Sequence, residues 1–181
     1  MLGNKSMLKS TLEGTLKECK LDLSSVDISL FFPRGRVMRR IFRDIQKRII
    51  ERASEFEGDI CEFREVGGYY VIIGKGRNLR LENVIDTKGN KIHSYIGPGG
   101  MPRFYADPNL PLIKDLDIDW ENVNYIVGYH THPFHYVPSD GDLNAFKMNR
   151  FDIPEETNYI GGIYCKNNFL KFLWMQISRK L

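Results

Sequence analysis

Cysteine and histidine are scarce in this chain: three Cys and four His among 181 residues. The cysteines, Cys19, Cys61 and Cys165, are odd in number, far apart and without a CxxC pair. That excludes a disulfide framework and a thiolate metal site, and a reducing, cytoplasmic setting is expected. No window approaches the roughly 20 apolar residues of a membrane span, and no apolar stretch follows Lys5 and Lys9 as a secretory leader would. A soluble protein without a membrane partner is expected. Charge of one sign is also lacking: 26 basic residues face 23 acidic ones, for a net +3. So small an excess does not select a polyanion, and nucleic acid is not an expected partner. What remains, 42% hydrophobic and 12% aromatic residues, suits one globular domain with a real core.

Along the chain, residues 1–24 are mixed and polar, with weak helical spacing at Leu8, Leu12 and Leu16. Residues 26–32 alternate apolar and polar positions like a half-buried strand, closed by Pro33. Residues 1–33 are therefore expected to be an N-terminal arm and strand, and residues 34–181 the folded domain. Met38, Ile41, Phe42, Ile45, Ile49, Ala53 and Phe56 recur at helical spacing and predict a helix over 35–56. Arg36, Arg39, Arg40, Arg43, Lys47 and Arg52 take much of its other face. Runs of this kind are usually solvated; contact with nucleic acid or an acidic protein is the alternative. Strands are expected at 69–73, 79–85, 91–96 and 124–129, separated by turn signals at 74–76, 88–90 and 97–100. A helix over 140–150 follows, then strands at 159–164 and 170–177 across a turn at 166–168. Trp120 and Trp174 read as core or interface aromatics.

Three of the four histidines fall within six residues, His130, His132 and His135. On an extended strand His130 and His132 point to one face and Thr131 to the other, so two imidazoles can share one ion. Pro133 stops the strand, and Ser139 opens the next helix, where Asp142 can project back toward the histidines. Two His and one carboxylate make an N₂O site, and three protein ligands with an open position are the catalytic arrangement of zinc. Each piece alone has another explanation: a hydrogen-bonded His pair, or a Ser139/Asp142 helix cap of the SxxD form.

The run His130, Thr131, His132, Pro133 with Pro138, Ser139, Asp140, Gly141, Asp142 resembles the HxHP…PSxxD signature of the JAB/JAMM (MPN-type) zinc metalloproteases. Upstream, the stretch from Glu65 through Gly67 and Gly68 to Gly74 is similar to the E-x-G-G-apolar-G stretch of the prokaryotic JAB branch. Gly97 to Gly100 and Phe104 to Asp107 also fall where that branch has a PG-containing loop and an F…D stretch. The resemblance covers roughly residues 36–177. The loop between His132 and Ser139 is one residue shorter than usual, which makes Asp140 the fallback ligand. Gly74 comes slightly late, and the first thirty or so residues match nothing in the family.

The resemblance implies a cytidine-deaminase-like α/β fold of the JAB/MPN type, with a curved, mixed, mostly antiparallel sheet flanked by helices and residues 34–181 as the metalloprotease domain. It implies one zinc ion per chain held by His130, His132 and Asp142. Glu65 would be the general base, with Glu62 as its rival, and Ser139 would stabilise the oxyanion together with zinc. His135 becomes a loop residue near the cleft or a fourth ligand that closes the site, and His93 a surface or strand residue. Gly67, Gly68, Gly99 and Gly100 would line a narrow groove for substrate. The implied reaction is hydrolysis of an amide or isopeptide bond after the C-terminal tail of a ubiquitin-like protein, which with its conjugates is the expected partner. The alternatives are a metal-free MPN-like interaction scaffold, a RadC-like DNA-associated protein using the arginine-rich helix, and a zinc hydrolase of small peptide conjugates.

Overall fold

The computed structural model describes residues 23–54, 64–91, 93–96, 100, 102–105, 108–132, 137–165 and 171–179. Its elements are β1 (Val26–Leu30), α1 (Arg36–Ser54), β2 (Arg64–Ile73), β3 (Arg80–Lys91), β4 (His93–Ile96), β5 (Pro102–Tyr105), β6 (Val123–Thr131), α2 (Asp140–Phe151), β7 (Asn158–Tyr164) and β8 (Phe172–Arg179). Six strands form one sheet in the order β1-β8-β7-β6-β2-β3. All its neighbours are antiparallel except β6 and β7, which the α2 crossover joins in parallel. The architecture is thus α/β with a mostly antiparallel sheet, as expected.

Strand alternation divides the core into two layers. Ile41, Phe42, Ile45 and Ile49 of α1 pack with Tyr70, Ile72, Val127, Tyr129, Ile160 and Trp174. On the opposite face Phe146 of α2 packs with Tyr69, Val71, Ile126, Tyr159, Ile163 and Met175. Consecutive residues such as Tyr69 and Tyr70 go to opposite sides because side chains reverse direction at each residue of a strand. Each fully buried large side chain contributes roughly 1.5–3 kcal/mol of transfer free energy, which fixes the register of both layers.

Several expectations change in the folded chain. β1 is an edge strand of the main sheet, paired from Val26 to Leu30 with β8. β2 starts at Arg64 rather than at 69, because Gly67 and Gly68, weak strand formers by themselves, are hydrogen-bonded between β3 and β6. The turn signal at 88–90 lies inside β3. There Arg64 pairs with Lys91 and Val66 with Lys88, so an extra β3 residue is absorbed as a bulge instead of reversing the chain. The strand expected at 91–96 divides: Lys91 ends β3, and His93–Ile96 pairs with Pro102–Tyr105 in a separate two-stranded ribbon. Of the helix expected over 35–56, Arg36–Ser54 is helical, and residues 55–56 lie outside the described residues.

Of the expected N-terminal arm, residues 1–22 lie outside the described residues, as do Cys19 and Cys61; Cys165 is buried. Among the described residues no helix is long and apolar enough to cross a membrane.

Candidate metal centre

β6 is held on both sides where its histidines emerge. His130 pairs with Gly67 of β2 and Ile163 of β7, and the His132 amide donates to the Tyr164 carbonyl at 2.8 Å. Both imidazoles are buried on the sheet face that α2 covers. The crossover then returns the chain over them. Ser139 caps α2, and Asp142 is the third helical residue. Phe146, four residues on and so on the same helix face, lies 5.8 Å from the His130 ring. It also fills the space that a side chain at Gly161 would need. The glycine in β7 thus lets α2 come close, with Asp142 aimed at the histidines.

The three side chains converge. His130 Nε2 and His132 Nε2 are 3.0 Å apart. Asp142 Oδ1 lies 3.1 Å from the first and Asp142 Oδ2 3.3 Å from the second. Four tetrahedral ligands at ~2.0–2.2 Å from a divalent ion stand about 3.3–3.6 Å from one another. The triangle is within a few tenths of an ångström of that, and the group lies close enough to bind a metal ion. Its chemistry fits too, since an imidazole nitrogen has one donor or acceptor role at a time and a carboxylate only accepts. With both imidazoles protonated at Nε2 the two can donate to Asp142, but their N–H groups then face one another across 3.0 Å, a conflict that a shared cation would remove.

Asp142 serves two purposes at once. Its Oδ2 accepts from the Ser139 amide at 2.6 Å and from the Ser139 hydroxyl at 2.8 Å, while its own amide donates to Ser139 Oγ at 3.2 Å. Helix cap and candidate metal ligand, alternatives in the sequence, fall on one carboxylate here: the capping box holds Asp142 facing the histidines. Burial pushes the Asp142 carboxyl upward, but hydrogen bonds from His130 and His132, the His130 charge and the Ser139 amide outweigh it and hold the group well below the usual carboxylate range. Held beside both histidines it is an anion, as a metal ligand would have to be.

Glu65 is buried on the same side of the sheet. Both irregularities between β2 and β3 add a residue to β3, so β2 keeps strict alternation and Glu65 shares a face with Gly67 and Tyr69. Continuing the register of Gly67 opposite His130 places Glu65 opposite His132. It is not a member of the three-ligand group. Asp140 is exposed and outside that group as well.

The glycines behave differently from one another. Gly68 faces the α1 layer: a Cβ there would sit 2.5 Å from the Ile85 carbonyl, 2.7 Å from the Tyr129 ring and 2.8 Å from Asp86. Its smallness serves packing on the side away from the histidines. Gly67 faces the metal side but lies beneath the chain's own Pro108 and Leu110, each 3.0 Å from where its Cβ would be. Gly100 is exposed with φ +72° and open space around it. Gly99, His135 and Glu62 lie outside the described residues; His93 is in the β4 ribbon, opposite Tyr105.

Sequence reasoning missed Thr131 and Phe146. Thr131 was visible only as the residue pointing away from the ion; its contact is described below. The arginines of α1 lie on the opposite face of the sheet, where Arg36, Arg39 and Arg43 join Pro33, Phe42 and Gln46 around a surface cleft of about 460 Å³. No protein family, curated protein or solved structure matches this chain.

Proposed function

We propose that the chain is a zinc-dependent metallo(iso)peptidase of the JAMM type, hydrolysing an amide or isopeptide bond after the C-terminal tail of a ubiquitin-like protein. The observation that carries the hydrolase reading is the convergence of His130, His132 and Asp142 on one point, with buried Glu65 one strand away on the same face. The ubiquitin-like substrate rests on the resemblance of the HxHP…PSxxD and E-x-G-G segments.

His130 and His132 supply neutral nitrogen and Asp142 an anionic oxygen, the mixed set that zinc accepts. Zinc bound there supplies Lewis acidity, lowering the pKa of water toward ~7 and polarising the scissile carbonyl. Glu65 takes the proton of the attacking water on its carboxylate and delivers it to the amine nitrogen as the C–N bond breaks. Ser139 aligns the Asp142 carboxylate through its hydroxyl. In the resemblance the same serine steadies the oxyanion, a role that requires its single hydroxyl proton to turn from Asp142 Oδ2 to the substrate.

The test pairs zinc stoichiometry with cleavage of a ubiquitin-like protein carrying an isopeptide-linked lysine. One zinc per chain in both wild type and Glu65→Gln, with turnover lost only in the variant, is expected. Equal turnover removes Glu65 from the mechanism, and a wild type that neither binds zinc nor cleaves leaves the metal-free scaffold reading in its place. A second reading, contact with nucleic acid, has one observation in its favour, the Arg36, Arg39 and Arg43 cleft. It requires DNA affinity that falls steeply with salt.

A further inference from the structure

The residue between the two histidines has its own task. Thr131 is 2% exposed, and its Oγ1 accepts the Val66 amide at 2.9 Å. By register Val66 stands directly opposite Thr131, one step beyond the last paired residues, Gly67 and His130. The threonine hydroxyl therefore takes a backbone amide where the ladder between β2 and β6 ends. On its other side the same stretch of β2 meets the bulge in β3 between the Arg64 and Val66 pairings. The amide that Thr131 receives belongs to the peptide unit joining Glu65 to Val66, so this bond fixes the plane attached to the Glu65 Cα.

We propose that Thr131 is a positioning residue that ties the Glu65 backbone to the histidine strand, so that base and metal ligands keep one relative geometry. The inference rests on the hydrolase reading given above. Alternation makes the arrangement economical: the strand that sends His130 and His132 to the metal face sends Thr131 to the other, where its branched side chain reaches across to the neighbouring strand. Misplacing a catalytic group by about 1 Å costs on the order of a hundredfold in rate. A tether of this kind acts on kcat rather than on metal or substrate affinity.

Thr131→Val keeps the shape and removes the acceptor, whereas Thr131→Ser keeps the acceptor. In the full chain loaded with zinc, Thr131→Val is expected to lower kcat roughly ten- to a hundredfold, with KM within about twofold and one zinc still bound. Thr131→Ser is expected to restore kcat to within about threefold of wild type. Introduced beside Glu65→Gln, Thr131→Val should cost nothing more, because both act through one group. Wild-type kcat in Thr131→Val, loss of zinc in that variant, or additivity with Glu65→Gln would each overturn the proposal. If the wild type cleaves no conjugate, the hydrolase reading fails and the tether is still decided by amide exchange at Val66. That exchange should be roughly fivefold or more faster in Thr131→Val than in wild type or Thr131→Ser; an unchanged rate sinks the tether.

Discussion

The two faces of the sheet bury polar groups in opposite ways. On the α1 side, Tyr129 and Tyr70 donate their hydroxyls to Asp86 Oδ1 at 2.8 and 3.4 Å, and Asn83 donates to Oδ2 at 2.8 Å. Donors meet an acceptor, the two rings stack 5.6 Å apart, and the cluster is satisfied by itself. On the α2 side, two imidazole nitrogens and a carboxylate converge at 3.0–3.3 Å, so that two nitrogens donating to one carboxylate must also face each other. A network whose donors and acceptors match stabilises the fold, whereas one that sets two donors against each other marks a candidate place for a ligand.

Removing a ligand breaks this comparison most sharply. A zinc site is worth about 10–16 kcal/mol over its ligands, so His132→Ala should weaken binding by a hundredfold or more. Its melting temperature should no longer respond to chelator; isothermal titration and a thermal scan with and without chelator check both. Gly68→Ala attacks the other face. The added methyl collides with Ile85, Tyr129 and Asp86 and should destabilise the fold by about 2–3 kcal/mol, read from the denaturation midpoint, while zinc stoichiometry stays at one. Ser139→Ala loosens the Asp142 carboxylate and uncaps α2 together, lowering zinc affinity about tenfold and stability by about 1 kcal/mol. Wild-type zinc affinity in that variant would show that the cap does not orient the ligand.

The smallest effect is alkaline. Burial pushes Tyr69 and Tyr70 up to about 12, Tyr129 higher still, and Tyr159 well above the ordinary phenol value. A raised phenol pKa stabilises the fold fully below the unfolded value of ~10, and that stability is lost as pH rises from ~10 toward 12. A phenolate absorbance titration should find at least these four of the nine tyrosines silent near pH 10, then ionising together with unfolding. Ordinary titration of all nine would contradict the buried cluster.

Local pattern carried much of this. The helical spacing of Ile41, Phe42, Ile45 and Ile49 and the alternation through His130 and His132 are properties of the chain that survive into α1 and β6, because side-chain direction follows from backbone geometry alone. The Ser139 and Asp142 pair was legible for the same reason, as a cap whose partners lie three residues apart. β2 was under-read because glycines 67 and 68 suppress local strand propensity, and the signal at 88–90 was over-read because a bulge uses the same residues as a turn.

By itself the sequence determined which side chains could serve as ligands, where α2 begins and which faces are apolar, all consequences of spacing within one element. Only the tertiary structure decided that Gly68 packs against Tyr129, that Leu110 covers Gly67, and that Thr131 holds the peptide next to Glu65. Those contacts join residues 43 to 65 positions apart in the chain, and register between strands is set by the packed layers as a whole, which no local spacing encodes.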